Sequence, residues 1–213
     1  MNAVLTTPPA ALMPNTKGLT RDEETHTYYW QGRVVPGITR LMEPIHSYDS
    51  VPDWILERKA DLGRQVHYAC ELWDLNDLIE ESLDPSIVPY LAAYKEFRKQ
   101  HTGRIHAIEP LLYHSGMGYA GQPDRDMELD TPNDVVEIKT TSQLWNAVGV
   151  QLAAQEHLLK SCDPARRPGG KRFALQLKAD GKFTLKEYKA PSDWPTFVSL
   201  LTTANWIARF GGK

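Results

Sequence analysis

Residues 117–141 restrict what this chain can fold into more than any other stretch. A strand sends alternate side chains to opposite faces. Val135-Val136-Glu137-Ile138-Lys139-Thr140 therefore turns Glu137 and Lys139 to one side and Ile138 to the other. Upstream, Met117 to Leu129 is a second apolar-flanked segment, and it carries Gly121-Gln122-Pro123-Asp124. Asp130-Thr131-Pro132-Asn133-Asp134 between them has the composition of a turn. Paired as a hairpin, the two segments bring two carboxylates and one ammonium to one spot. A hard divalent cation takes oxygen ligands, and a fixed cation stabilises the charge of a phosphate in transit. The pattern predicts a metal-dependent phosphodiesterase centre. Asp124 and Glu137 hold the metal, and Lys139 positions or deprotonates the attacking water.

The remaining elements follow from periodicity and breakers. Thr27-Tyr28-Tyr29-Trp30 and Arg33-Val34-Val35 flank Gln31-Gly32 as a hairpin, and Pro36-Gly37 turns into a short helix over 38–42. From Pro52, apolar residues recur at helical spacing as far as Leu78. Pro85 breaks the pattern, with Asp84 or Ser86 as cap before a helix over 88–97. Strands are expected at 105–113, 117–129 and 135–141, then a helix opening at Ser142 or Gln143. A hairpin at 173–177 and 183–188 and a last helix at 194–210 complete the chain. This order suits an α/β sandwich, a central mixed β-sheet flanked by helices. Residues 19–213 read as a single domain, and 1–18 as a disordered leader without the basic region or cleavage site of a signal peptide.

Several of these residues resemble the motifs of a known family. Pro123-Asp124 followed by Glu137-Ile138-Lys139 resembles the signature of the PD-(D/E)XK nuclease superfamily. Gly63-Arg64-Gln65-Val66-His67 is similar to the Gly-x-x-x-His element of its RecB-like branch, and Gln151-Leu152-Ala153-Ala154-Gln155 to the helix that follows the Glu-x-Lys strand. His26-x-Tyr28, Gly32 and Val35-Pro36-Gly37-Ile38-Thr39 resemble the opening of phage-borne members. The downstream helix usually reads Gln-x-x-x-Tyr in that family, and Gln155 stands here at the tyrosine position. The resemblance spans roughly residues 20–210. It implies a restriction-endonuclease-like core and a Mg2+-dependent deoxyribonuclease, in which Mn2+ can substitute. It further implies an exonuclease of a phage recombination, replication or repair system rather than an endonuclease. His67, Glu109 and the Ile138 carbonyl join the metal ligands by the same resemblance, and Gln151 joins the catalytic set. A sequence- or structure-specific endonuclease and a catalytically silent binding module on the same core are the alternatives.

Composition narrows the partners. The net charge of −3 speaks against binding nucleic acid through global charge, so phosphate contacts have to come from local patches. Arg166-Arg167-Pro168-Gly169-Gly170-Lys171-Arg172 is the densest such patch, although a solvated hairpin loop has the same composition. Arg166, Arg167, Lys171 and Arg172 are its candidate DNA contacts, and Thr140 and Thr141 can donate to phosphate from the end of the Glu-x-Lys strand. Cys70 and Cys162 are too few for a disulfide framework or a four-cysteine iron–sulfur cluster. A reducing compartment, the cytoplasm (the host's, if phage-encoded), follows as the expected location. No apolar run reaches the ~18 residues of a membrane span. DNA is the expected partner, with a single-strand annealing protein or helicase and an oligomeric state in keeping with such an enzyme.

Overall fold

Asp134–Lys139 is a central strand whose Val135, Val136 and Ile138 are fully buried, and its buried Asp134 and Glu137 therefore need polar partners. The computed structural model describes residues 13–46, 52–166 and 169–211. The chain opens with strands β1 (Leu19–Arg21), β2 (Tyr28–Trp30) and β3 (Arg33–Val35), then helices α1 (Ile38–Leu41), α2 (Asp53–Asp74) and α3 (Val88–Gln100). Strands β4 (Ile105–Ile108), β5 (Leu112–His114), β6 (Tyr119–Gly121), β7 (Arg125–Met127) and β8 (Asp134–Lys139) lead into α4 (Ala147–Cys162). Strands β9 (Arg172–Leu177) and β10 (Phe183–Glu187) and helix α5 (Asp193–Phe210) follow. The main sheet has five strands in the order β10-β9-β8-β7-β4. Its β8–β9 pair is parallel, joined through α4, and its other pairs are antiparallel. This is the α/β architecture the sequence predicts, a central mixed sheet flanked by helices.

The alternation along β8 sorts the core into two layers. Val136 and Ile138 pack with Val66, Cys70, Tyr94 and Phe97 of α2 and α3. Val135 packs on the other side with Leu152, Leu158 and Leu159 of α4 and Phe197 of α5. Cys70 is fully buried, and burial pushes its thiol far above the ordinary range, so it behaves as a small apolar residue. Among the described residues no helix is long and apolar enough to cross a membrane.

Two expected strands are each divided. Residues 105–113 break at Glu109, whose φ of +44° precedes Pro110, so β4 stays in the main sheet while β5 pairs with β6. Residues 117–129 break at Gln122-Pro123-Asp124, where the chain passes from the small sheet into β7. Proline cannot donate to a ladder, which is why both transitions carry one. The turn between β7 and β8 is built by buried Asp134. One carboxylate oxygen accepts from the amides of Asp130 and Thr131, each at 2.8 Å, and the other from the amide of Lys171 at 2.7 Å. Gly170 approaches this turn so closely that a Cβ would lie 2.1 Å from the Asn133 carbonyl oxygen. Helix α4 opens at Ala147, later than expected, leaving Thr140 and Thr141 beyond the end of β8. Before α3, Asp84 accepts from the Ser86 amide and hydroxyl, shaping the preceding turn; the residue at the helix cap is Ile87.

Of the expected leader, residues 1–12 lie outside the described residues. Residues 13–18 belong to the fold. The Met13 amide donates to the His106 carbonyl at 3.0 Å and the Thr16 amide to the Leu111 carbonyl at 2.8 Å. The Asn15 side chain accepts from the Leu111 amide at 2.7 Å. Backbone groups of the β4–β5 connection would otherwise lack partners, and these residues supply them.

Arg125, the largest fully buried side chain, ties the sheet to both helices of its face. Its Nε donates to Asp74 at 2.8 Å and to the Tyr94 hydroxyl at 3.2 Å, and Nη1 donates to the Asp124 carbonyl at 2.7 Å. Removing one partner of a buried pair leaves an uncompensated charge, which costs about 3–5 kcal/mol. Asp74→Ala is expected to lower the unfolding free energy by an amount in that range in urea titrations, and a change below about 1 kcal/mol would contradict this account.

Candidate metal centre

The pairing of β7 with β8 places Arg125 opposite Val136, so Asp124 stands across from Glu137. Both carboxylates are buried. Asp124 Oδ2 accepts the Ile138 amide at 2.7 Å, which fixes the carboxylate against the strand. Its Oδ1 lies 3.4 Å from Nδ1 of His67, which projects from α2. Glu109 Oε1 lies 3.9 Å from the same nitrogen. The left-handed backbone at Glu109, unusual for a non-glycine residue, holds it there, while its amide donates to the Asp124 carbonyl at 3.1 Å. One ligand atom from each of His67, Glu109 and Asp124 lies within 4.8 Å of the others.

On the ring's other side, His67 Nε2 donates to the Ile138 carbonyl at 3.1 Å. That bond selects the tautomer in which Nδ1 carries the free lone pair once the ring is neutral. The carbonyl keeps a second lone pair. A Cβ at Gly63, one turn before His67, would meet Thr140 Oγ1 at 3.5 Å. That is ordinary contact, so close approach does not demand glycine here.

Glu137 stands beside this group, turned toward α4. Gln151 Nε2 and Lys139 Nζ donate to its Oε1 at 2.6 and 2.8 Å, and Gln155 Nε2 donates to its Oε2 at 2.6 Å. Lys139 Nζ also donates to Gln151 Oε1 at 3.0 Å. Gln151 and Gln155 are one helical turn apart, so both reach the same carboxylate. The pairing of Gln155 with Glu137 could not be read from the sequence, where an amide replaces the tyrosine of the resembled motif.

The charges are in conflict without a cation. Burial and then the Asp124 carboxylate raise Glu109 from 4.5 to about 7, against the opposing pull of His67 and Arg125. Burial and Asp124 likewise raise Glu137, with Lys139 opposing. Burial disfavours the imidazolium of His67, but Asp124, Glu109 and Glu137 outweigh it and bring the ring from 6.5 to about 9. Burial works against the charged form of Asp124 too; His67, Lys139 and the Ile138 amide overcome it, and the carboxyl ends below its ordinary value. Glu109 Oε1 has no hydrogen-bond partner among the described residues. A buried carboxylate oxygen without a donor, beside a second carboxylate and an imidazole nitrogen, fits a hard divalent cation such as Mg2+ or Mn2+.

The other expected contacts lie elsewhere. Arg166 is buried in an ion pair with Asp126 and donates to the Asn133 carbonyl at 2.7 Å. Lys171 pairs with Asp130 at 2.7 Å and Arg172 with Asp193 at 3.1 Å. All three stand at the Asp134 end of β8, roughly 17 Å along the strand from Lys139. Arg167 lies outside the described residues. Thr141 Oγ1 donates to the Gln143 carbonyl at 2.9 Å, and Thr140 lies next to α2. Trp30 and Tyr113, which no motif singles out, stack on each other at 4.6 Å, and Tyr119 is buried. Sequence reasoning passed over Arg21 and Gln122. Arg21 Nη1 donates to Gln122 Oε1 at 2.8 Å, and Gln122 Nε2 donates to the Glu109 carbonyl at 2.9 Å.

The pH dependence of the metal-free protein follows from two of these shifts. A group whose folded pKa is raised binds its proton more tightly when folded, so its stabilisation is lost as pH rises through that value. For Glu109 the loss runs between 4.5 and about 7, and for His67 between 6.5 and about 9. In EDTA the Tm of the wild type relative to that of His67→Gln is therefore expected to fall between pH 6.5 and about 9, and added Mg2+ should oppose that fall. A difference between the two proteins that does not change with pH over this window would refute the electrostatic picture.

The chain matches no family model and no curated protein. Among solved structures it is similar to LHK-Exo in complex with dAMP, with a TM-score of 0.40 and 12% identity over 82% of this chain and 89% of that one. It is also similar to an alkaline exonuclease, LHK-Exo, from Laribacter hongkongensis, with a TM-score of 0.35 and 13% identity over 81% of this chain and 91% of that one.

Proposed function

We propose that this chain is a divalent-metal-dependent nuclease that hydrolyses DNA phosphodiester bonds. The convergence of His67, Glu109 and Asp124 beside the Glu137–Lys139 pair carries the reading. His67 Nδ1 and the Asp124 and Glu109 carboxylates are the groups that would hold Mg2+ or Mn2+. When bound, the ion acidifies water and neutralises charge on the phosphate. Lys139 stands two residues along β8 from Glu137, with its ammonium fixed by that carboxylate and by Gln151. From there it can donate to the attacking water or to a non-bridging oxygen as charge develops. Glu137 would add a carboxylate from β8 to the ligands of the ion, with its plane set by Gln151 and Gln155.

Action from DNA ends in phage recombination, replication or repair rests on the resemblance of Gly63–His67 and Gln151 to the RecB-like branch. A cytoplasmic setting with an annealing protein or helicase belongs to the same reading. End-labelled linear DNA, single- and double-stranded, should be shortened from its ends with Mg2+ or Mn2+ and left intact in EDTA. Lys139→Ala and Asp124→Ala should each lower the rate by at least about 100-fold. Cleavage of covalently closed circles would make the enzyme an endonuclease. Binding without cleavage under either metal would make the chain a silent nucleic-acid-binding module.

A further inference from the structure

Arg166, Lys171 and Arg172 pair with carboxylates at the far end of β8, and a polyanion approaching three clustered carboxylates needs positive charge close by. Arg21 is placed to provide it. It ends β1, and its guanidinium is joined through Gln122 to the backbone of Glu109, one side chain away from the metal-ligating group. Its Nε is buried without a hydrogen-bond partner among the described residues. Its acidic neighbour, Glu23, is 3.2 Å away but largely exposed, a pair that solvent screens and a stronger anion can displace. A second arginine stands on the helix that carries His67. Arg64 sits on α2 three residues before His67 and pairs with exposed Asp61 at 3.3 Å. The Tyr28 ring flanks the Arg21 guanidinium at 5.9 Å.

We infer that Arg21 binds a phosphate of the substrate strand flanking the scissile one, with Gln122 as its positioning residue and Arg64 as a second, outer cation. The inference rests on the nuclease reading of the neighbouring centre. A guanidinium presents a planar fork of donors that matches two phosphate oxygens, which a lysine ammonium cannot do. Gln122 holds that fork at a fixed angle by occupying one Nη1 hydrogen.

The test measures binding of a labelled oligonucleotide in EDTA over a range of salt, followed by steady-state cleavage in Mg2+, for wild type, Arg21→Gln, Arg21→Lys and Arg64→Gln. A lost phosphate contact lowers the slope of log Kd against log salt by about 1. Arg21→Gln is expected to show that loss together with about tenfold weaker binding to every sequence, and a raised KM with kcat little changed. Arg21→Lys should keep the slope while binding several-fold more weakly. An Arg21→Gln protein with wild-type slope and KM would overturn the inference; should that variant melt early by circular dichroism, an unchanged KM in Arg21→Lys would overturn it equally. If wild type cleaves and the Arg21 variants match it, the inference alone falls. If wild type binds with an Arg21-dependent slope but never cleaves, the nuclease reading falls and the phosphate contact stands.

Discussion

The buried guanidinium of Arg125 is the interaction on which the rest of this structure depends. It opens β7, opposite Val136 of β8, faces α2 and α3, and meets Asp74 and Tyr94 there. An isolated charge in that position would be prohibitively costly, so the helices are held in the one arrangement that brings both partners within reach. The same guanidinium donates to the carbonyl of Asp124. The backbone of the proposed metal ligand is thereby fixed to the helical layer that carries His67. Alternation does the rest. With Arg125 turned to one side, its neighbour Asp124 is free to meet the end of β8, where Ile138 donates its amide. One buried charge thus sets both the packing of a layer and the placement of a site residue on the other side of its strand.

The site itself is electrostatically unfavourable as it stands. Three buried or half-buried carboxylates share a small volume, and their proton affinities are pulled apart: Asp124 stays low, while Glu109 and Glu137 are raised. The backbone at Glu109 adds strain, since a non-glycine residue in a left-handed conformation costs about 1–3 kcal/mol. Such costs persist where the surrounding structure over-determines them, and here Pro110, the Asp124 carbonyl and Gln122 all fix the Glu109 backbone. A divalent cation would relieve the repulsion in one step. Lys139 relieves part of it permanently, because its ammonium compensates Glu137.

Much of this was legible in the sequence, and the limits have physical causes. The β7–β8 hairpin was readable because a two-residue period and a turn of Asp, Thr, Pro and Asn are local signals. The convergence of Asp124, Glu137 and Lys139 follows from that pairing alone. His67 and Glu109 were reached only through family resemblance, since nothing in a helix or strand pattern reveals which distant element it will face. The division of 105–113 was announced by Pro110, but the apolar residues on either side of it concealed that β4 and β5 serve different sheets. The partners of the basic stretch were hidden for a related reason. Charges are visible in a sequence while their partners are not, and Asp126, Asp130 and Asp193 are contributed by other elements. Arg21 was overlooked in the same way, because its role depends on Gln122 and Glu109, which lie far along the chain.

Gln155 stands where the resembled motif carries a tyrosine, and it reaches the same carboxylate as Gln151. A tyrosine at this position of α4 would offer a hydroxyl that can donate one hydrogen bond. The glutamine amide also donates, and it does so to Glu137 Oε2, the oxygen that Lys139 and Gln151 leave free. Each oxygen of the carboxylate therefore has an amide donor of its own, and the carboxylate plane is fixed from two points on one helix. The substitution also introduces a carbonyl oxygen, and that atom is buried with no partner among the described residues. An orphaned acceptor is costly in a dry core. Nothing in the identity of residue 155 alone conveys this. It follows only from the reach of an amide at helical spacing from Gln151, toward a carboxylate that β8 has already fixed.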